Sequence, residues 1–177
     1  MLSLRKALPA DLPAIVAIYN STIPSRLVTA DLEPVTVASR ERWFADHEQP
    51  TRPLWVHERD GEVAAWLSFS SFYGRPAYDG TVEVSVYVHE RHRRQGIAAA
   101  FIGEARRAAP AMGIHTMLGF IFGHNAPSLA LFGRLGFGRW GTLPRVAVLD
   151  GVERDLVLLG QRLDAPGTPV AARARDA

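Results

Sequence analysis

The stretch TVEVSVYVHERHRRQGIAAAFIGEARRAAPAMG, residues 81–113, decides the fold. Its first eight residues alternate: Val82, Val84, Val86 and Val88 share one face of a strand, and Glu83, Ser85 and Tyr87 share the other. A period of two is the mark of a strand with one core face and one polar face. The pattern changes at Gln95–Gly96, after which Ile97, Phe101, Ala105 and Ala108 fall at helical spacing. Pro110 and Gly113 end that helix. The unit is a strand, an arginine-rich turn and an alanine-rich helix.

Outward from this unit, both flanks read as mixed α/β. On the N-terminal side, LSLRKA suits a short strand, and Asp11 with Pro13 opens a helix carrying Leu12, Ile15, Val16 and Tyr19. Residues 21–34, STIPSRLVTADLEP, have two prolines and no period, so they read as a loop that orders around a ligand. Thr36 caps a second helix reaching His47. Two strands then flank Asp60–Gly61, a pair suited to a tight hairpin turn. On the C-terminal side, MLGFIF reads as a buried strand, and Asn125 and Ser128 precede a short helix closed by Gly136. Residues 138–163 form two strands around a second Asp-Gly turn at 150–151. Residues 1–163 are thus expected to be a single domain, and residues 164–177, which lack a packing pattern, a mobile tail.

Composition narrows the function. The 177 residues, 47% hydrophobic and 21% charged, suit one globular domain with a real core. With no cysteine, disulfides, thiolate metal sites and cysteine nucleophiles are excluded. No metal is expected. No apolar run approaches the roughly 18 residues of a membrane span, and the opening MLSLRKALPADLPA lacks the order of a signal peptide, so no membrane partner and a cytoplasmic location are expected. Basic and acidic residues nearly cancel to +2, and every basic residue but Lys6 is arginine. The arginines are not interleaved with aromatics and carry no nucleic-acid-binding motif, so no nucleic-acid partner is expected.

The turn RRQGIA, Arg93 to Ala98, is suited to an anionic phosphate. Gly96 lets backbone approach a ligand, Ala98 and Ala99 keep the first helical turn small, and the unpaired N–H groups at a helix start attract anions. Arg91, Arg93 or Arg94 can add charge. The alternative is an ordinary turn with solvated arginines. The spacing fits neither a Walker loop nor the three-glycine dinucleotide fingerprint.

At Arg93, Gly96 and Ala98 the turn resembles the acetyl-CoA pyrophosphate loop, R/Q-x-x-G-x-G/A, of the GNAT superfamily of N-acetyltransferases. Asn125 to Phe137, NAPSLALFGRLGF, resembles that superfamily's later helix and following strand. More narrowly, IYN at 18–20, Thr29, RPAYDGTVEVSVYV at 75–88 and HRRQGIA at 92–98 are similar to the phosphinothricin and methionine sulfoximine acetyltransferase group. The resemblance covers about residues 2–163.

The resemblance implies a mixed, twisted, largely antiparallel sheet flanked by helices, with central strands that splay to admit the pantetheine arm of acetyl-CoA. It implies that Val86, Tyr87, Val88, Arg93, Arg94, Gln95, Gly96, Ile97, Ala98, Ala99, Asn125 and Ser128 bind acetyl-CoA, with Val86 N–H a candidate oxyanion donor. It makes Glu83 the general base, a role that partial burial would assist by raising its pKa. Without the resemblance, Glu83 reads as a solvent-facing carboxylate. Arg75, Tyr78 and Thr29 become substrate residues, Arg75 through bidentate pairing with a carboxylate; the alternative for Arg75 and Tyr78 is a solvated surface loop. The implied partner is a small amino-acid-like amine that attacks acetyl-CoA directly, in a homodimeric enzyme. A peptide N-terminus or lysine as acceptor, and a non-catalytic acyl-CoA-binding module, are the alternatives. Phe132 departs from the family pattern: it stands where relatives carry Tyr or His and cannot protonate the leaving thiolate, leaving that task to water, Tyr87 or another group, or leaving the thiolate, a comparatively good leaving group, to depart unaided. His124 reads as structural, and Trp55, Trp66 and Met117 as core.

Overall fold

The computed structural model describes residues 4–163. Seven strands form one sheet: β1 Leu4–Lys6, β2 Leu54–Arg59, β3 Glu62–Ser71, β4 Thr81–Val88, β5 Thr116–Phe122, β6 Gly138–Leu149 and β7 Val152–Arg162. Their spatial order is β1-β2-β3-β4-β5-β7-β6, and every neighbouring pair is antiparallel except β4 and β5. Both Asp-Gly pairs make hairpins as expected, with Asp60, Gly61, Asp150 and Gly151 all at positive φ.

Helices cover both faces. Helices α1 Leu12–Asn20 and α2 Val37–Asp46 bury Ile15, Val16 and Phe44 with Val56 and Trp66 on one side. Helix α3 Ile97–Ala108 presses Phe101 and Ile102 onto Leu67, Phe69, Val82 and Val84 on the other, where α4 Ala126–Arg134 contributes Phe132. Full burial of Phe101 alone contributes roughly 1.5–3 kcal/mol.

Three local readings change. Asp11 stands before α1 but does not cap it: its carboxylate accepts from Leu8 N–H at 2.7 Å and pairs with Arg5. The Glu83 face of β4 is not simply polar, because α1 and α2 cover it and Tyr87 stacks on Trp66 with ring centroids 4.3 Å apart. Residues 21–34 are held by the protein itself. Arg26 pairs with Asp150 through two hydrogen bonds, His124 Nε2 lies 2.8 Å from Arg26 O, and Asn125 Nδ2 donates to Leu27 O. The expected tail, 164–177, lies outside the described residues.

Candidate active site

Strand β4 is paired with β3 from Val82 to Val88 but with β5 only at 81–83. His89 N–H donates to Ala64 O, so by alternation Glu83, Ser85 and Tyr87 turn their backbone groups to β3. Val84, Val86 and Val88 turn theirs the other way, into the gap where β5 has diverged. The gap is a cleft whose walls include Val84, Val86, Tyr87, Ala98, Gly119 and Phe132. A buried strand edge without a partner is unfavourable unless something pairs with it. The splay expected from the resemblance is therefore present, and Val86 offers its N–H and C=O to an extended ligand. Val88 O receives Arg93 Nε at 3.3 Å.

Beyond the cleft, Gly96 has φ +77° and precedes α3, whose first turn has no side-chain cap. The helix start thus presents free N–H groups, a fit for a phosphate. Ala98 and Ala99 are half-buried there, Ile97 points into the core, and Arg94 is exposed at φ +60°. Gln95 is engaged within the protein: its Oε1 accepts from Arg59, and its Nε2 donates to Arg91 O. Asn125 lines the cleft, but Oδ1 accepts from Ser128 N–H at 3.2 Å while Nδ2 holds Leu27 O. Its amide organises α4 and the 21–34 loop. Ser128 also lines the cleft.

On the other face of β4 lies a pocket of about 180 Å³ containing Glu83. It shares Ser85 and Tyr87 with the cleft, so the two depressions meet at β4. The Glu83 carboxyl makes no hydrogen bond or ion pair among the described residues, and burial pushes it above the usual value. A raised pKa without a structural partner suits a general base. Burial also pushes the Tyr87 phenol well up, keeping it protonated as a donor.

The same pocket contains Arg40, Trp43, Trp66 and Tyr19, none of which had been assigned a site role from the sequence. The Arg40 guanidinium lies 4.8 Å from the Tyr19 ring centroid and donates to Asp31 at 2.9 Å; Asp31 also accepts from Tyr19 at 2.6 Å. The missed signal is an arginine on the inward stripe of α2, at i with Trp43, Phe44 and His47 at i+3, i+4 and i+7. Thr29 is buried and bonded to the Tyr19 hydroxyl, so it acts on the pocket through Tyr19. Arg75 and Tyr78 do not line the pocket. They occupy the exposed β3–β4 loop, where Tyr78 lies against Phe72 and Phe72 approaches Phe120 of the cleft. His124 stacks on Phe122, consistent with its structural reading.

Residues 15–137 match the acetyltransferase (GNAT) family model. The chain belongs to the GNAT family. It is 53% identical to YwnH of Bacillus subtilis, named provisionally as a phosphinothricin acetyltransferase, over 92% of this chain and 99% of that protein. It is 34% identical to an L-methionine sulfoximine/L-methionine sulfone acetyltransferase of Pseudomonas aeruginosa, over 92% of this chain and 95% of that one. A GNAT superfamily phosphinothricin acetyltransferase of Sinorhizobium meliloti, solved in complex with AcCoA, superposes with a TM-score of 0.91 at 26% identity, covering 99% of this chain and 96% of that one. The chain is an acetyltransferase. No helix among the described residues is long and apolar enough to cross a membrane.

Proposed function

We propose that this GNAT enzyme moves the acetyl group of acetyl-CoA to the primary amine of a small amino-acid-like substrate of the phosphinothricin or methionine sulfoximine type. The observation that carries this reading is an unpaired, half-buried carboxyl, Glu83, on the strand whose other edge is open. Acetyl-CoA, when bound, supplies an activated thioester carbonyl. Val86 N–H and C=O would align its extended arm, and the start of α3 would hold its phosphates with Arg93 and Arg94. Glu83 takes a proton from the amine in the pocket beside Ser85 and Tyr87. The Val86 N–H would stabilise oxyanion charge, and the protonated Tyr87 phenol, which lines both depressions, would serve as donor to the departing sulfur, a task Phe132 cannot perform.

Thr29 acts on the amine's pocket through its hold on Tyr19, while Arg75, with Tyr78 beside it, would meet a substrate carboxylate from the exposed β3–β4 loop outside that pocket. The enzyme acts as a homodimer. Trp140, Leu143, Val146 and Val148 are all exposed apolar residues on β6, the edge of the sheet, a surface suited to a second copy. A cytoplasmic location fits the use of acetyl-CoA. An acetyl-CoA consumption screen against free amino acids, their phosphinic and sulfoximine analogues and short peptides tests the substrate class. Turnover confined to peptides would replace the small amine with a polypeptide, and no turnover with CoA binding retained would favour a non-catalytic module.

A further inference from the structure

The pocket face of the β3–β4 ladder changes character along its length. Ser70 is opposite Glu83, then Ser68 opposite Ser85, then Trp66 opposite Tyr87. Helix α2 runs beside this series. His47, which closes it, has Nε2 3.5 Å from Ser70 Oγ, and Trp43, a turn earlier, meets Trp66 with ring centroids 5.6 Å apart. Arg40 lies about 10 Å along the helix from His47, so it stands at the end of the pocket away from Glu83. Among the described residues, Arg40 and Glu83 are the charged side chains lining this pocket.

Arg40 is held in place. It donates to Asp31 at 2.9 Å, and its guanidinium lies 4.8 Å from the Tyr19 ring centroid and 6.0 Å from that of Trp43. The Tyr19 hydroxyl donates to the same Asp31 oxygen. Only one guanidinium nitrogen is used in this way; the others have no hydrogen bond among the described residues. Ser68, 2% exposed, and Ser85 likewise make no side-chain hydrogen bond there. The inner half of the pocket therefore joins aromatic walls to unused donors, a guanidinium fork and two hydroxyls. Such donors, partly withdrawn from water, call for an acceptor.

We infer that this inner half receives the substrate's side chain, and that Arg40, with Ser68 and Ser85, selects one ending in acceptor oxygens: a phosphinate, sulfone or sulfoximine head. This rests on the reading that Glu83 takes the proton of a small amino-acid amine. With the amine at Glu83 and the carboxylate toward the β3–β4 loop, the side chain runs inward along the ladder. Glu83 and Ser85 are two residues apart on one strand, roughly 7 Å. That is close to the span from an α-amine to the head-group oxygens on a chain of methionine's length. The guanidinium fork meets two such oxygens at once, as it does a carboxylate. The serine hydroxyls turn their hydrogens to the same oxygens, and the methylene groups lie on Trp66 and Tyr87. Arg40 repels a cationic side chain, and a thioether leaves its fork unpaired.

L-Methionine sulfone and L-methionine share one skeleton and differ by the sulfone oxygens, so the ratio of their kcat/KM values in the full chain reads this contact. Wild type should prefer the sulfone by about 10–100-fold, the scale of hydrogen bonds to a charged group. Arg40→Gln, whose amide can still donate to Asp31, should shrink the preference to about threefold or less, chiefly by raising KM for the sulfone, with KM for acetyl-CoA within about twofold. Arg40→Lys, a point charge without the fork, should restore part of it. Ser68→Ala should lower the ratio about threefold. Wild type that prefers neither amino acid, or Arg40→Gln that slows both equally, overturns the assignment of Arg40 and leaves small-amine acetylation standing. Should Arg40→Gln fail to fold, an unchanged ratio in Ser68→Ala overturns it. Turnover of neither amino acid by wild type, with CoA still bound, removes the small-amine reading and this assignment with it.

Discussion

Replacing Asn125 separates its structural task from ligand binding. Its side chain, 5% exposed, accepts from Ser128 N–H at the start of α4 and donates to Leu27 O of the 21–34 loop. Loss of an N-cap costs about 1 kcal/mol, and loss of a net hydrogen bond about another 1 kcal/mol. Asn125→Ala should therefore destabilise by about 2 kcal/mol, or roughly 4–8 °C in Tm for a domain of this size. Asn125→Ser keeps a capping oxygen but is too short to hold Leu27 O, so it should lose about half as much. Urea unfolding of the three proteins measures this, with the midpoint moving and the slope unchanged. Asn125→Ala at wild-type stability, or Ser and Ala variants equally destabilised, would refute the reasoning.

Gly96→Val, forced to φ +77° at the start of α3, should cost about 1–2 kcal/mol and weaken CoA binding at least about tenfold by crowding the phosphate approach; calorimetry reads the second effect. Phe132→Tyr should change turnover no more than about threefold if another donor already serves the thiolate, with stability lower by roughly 1–3 kcal/mol if the hydroxyl is left unpaired; a gain near 10²-fold would show that wild type lacks an acid. Because burial raises the Glu83 pKa, the folded protein holds that proton to higher pH than the unfolded chain, so stability falls as pH rises from the ordinary carboxylate value through the raised one. Glu83→Gln should therefore melt above wild type at pH 8 and level with it at pH 4, as measured by calorimetry.

Much of the fold was legible because the relevant patterns are local. The alternation of 81–88, the Gly96 turn, both Asp-Gly hairpins and the Thr36 cap each depend on residues a few positions apart. Partner choice is not local: nothing in TVEVSVYV says that β5 leaves β4 after Glu83, and only the family resemblance supplied the splay. The candidate site divided the same way. Glu83, Val86 and Gly96 lie in one segment and were found together. Arg40, Tyr19, Trp66 and Ser70 reach the same pocket from three other elements, and Trp66 read as core because it is core as well as wall. Asp11 misled because an acid before a helix resembles a cap, while its carboxylate is taken by Leu8 and the distant Arg5.

The central claim is that Glu83 is the base at the open strand of an acetyltransferase. It is tested most directly by the pH profile of kcat/KM for the amine in wild type and Glu83→Gln, beside acetyl-CoA affinity measured separately. The account predicts unchanged affinity and a fall of about 10²–10⁴-fold, with the acid limb that marks Glu83 titration missing from the variant. The deficit should shrink at high pH, where the amine is already neutral. A variant within about threefold of wild type across the profile, or one impaired only in acetyl-CoA binding, would contradict it.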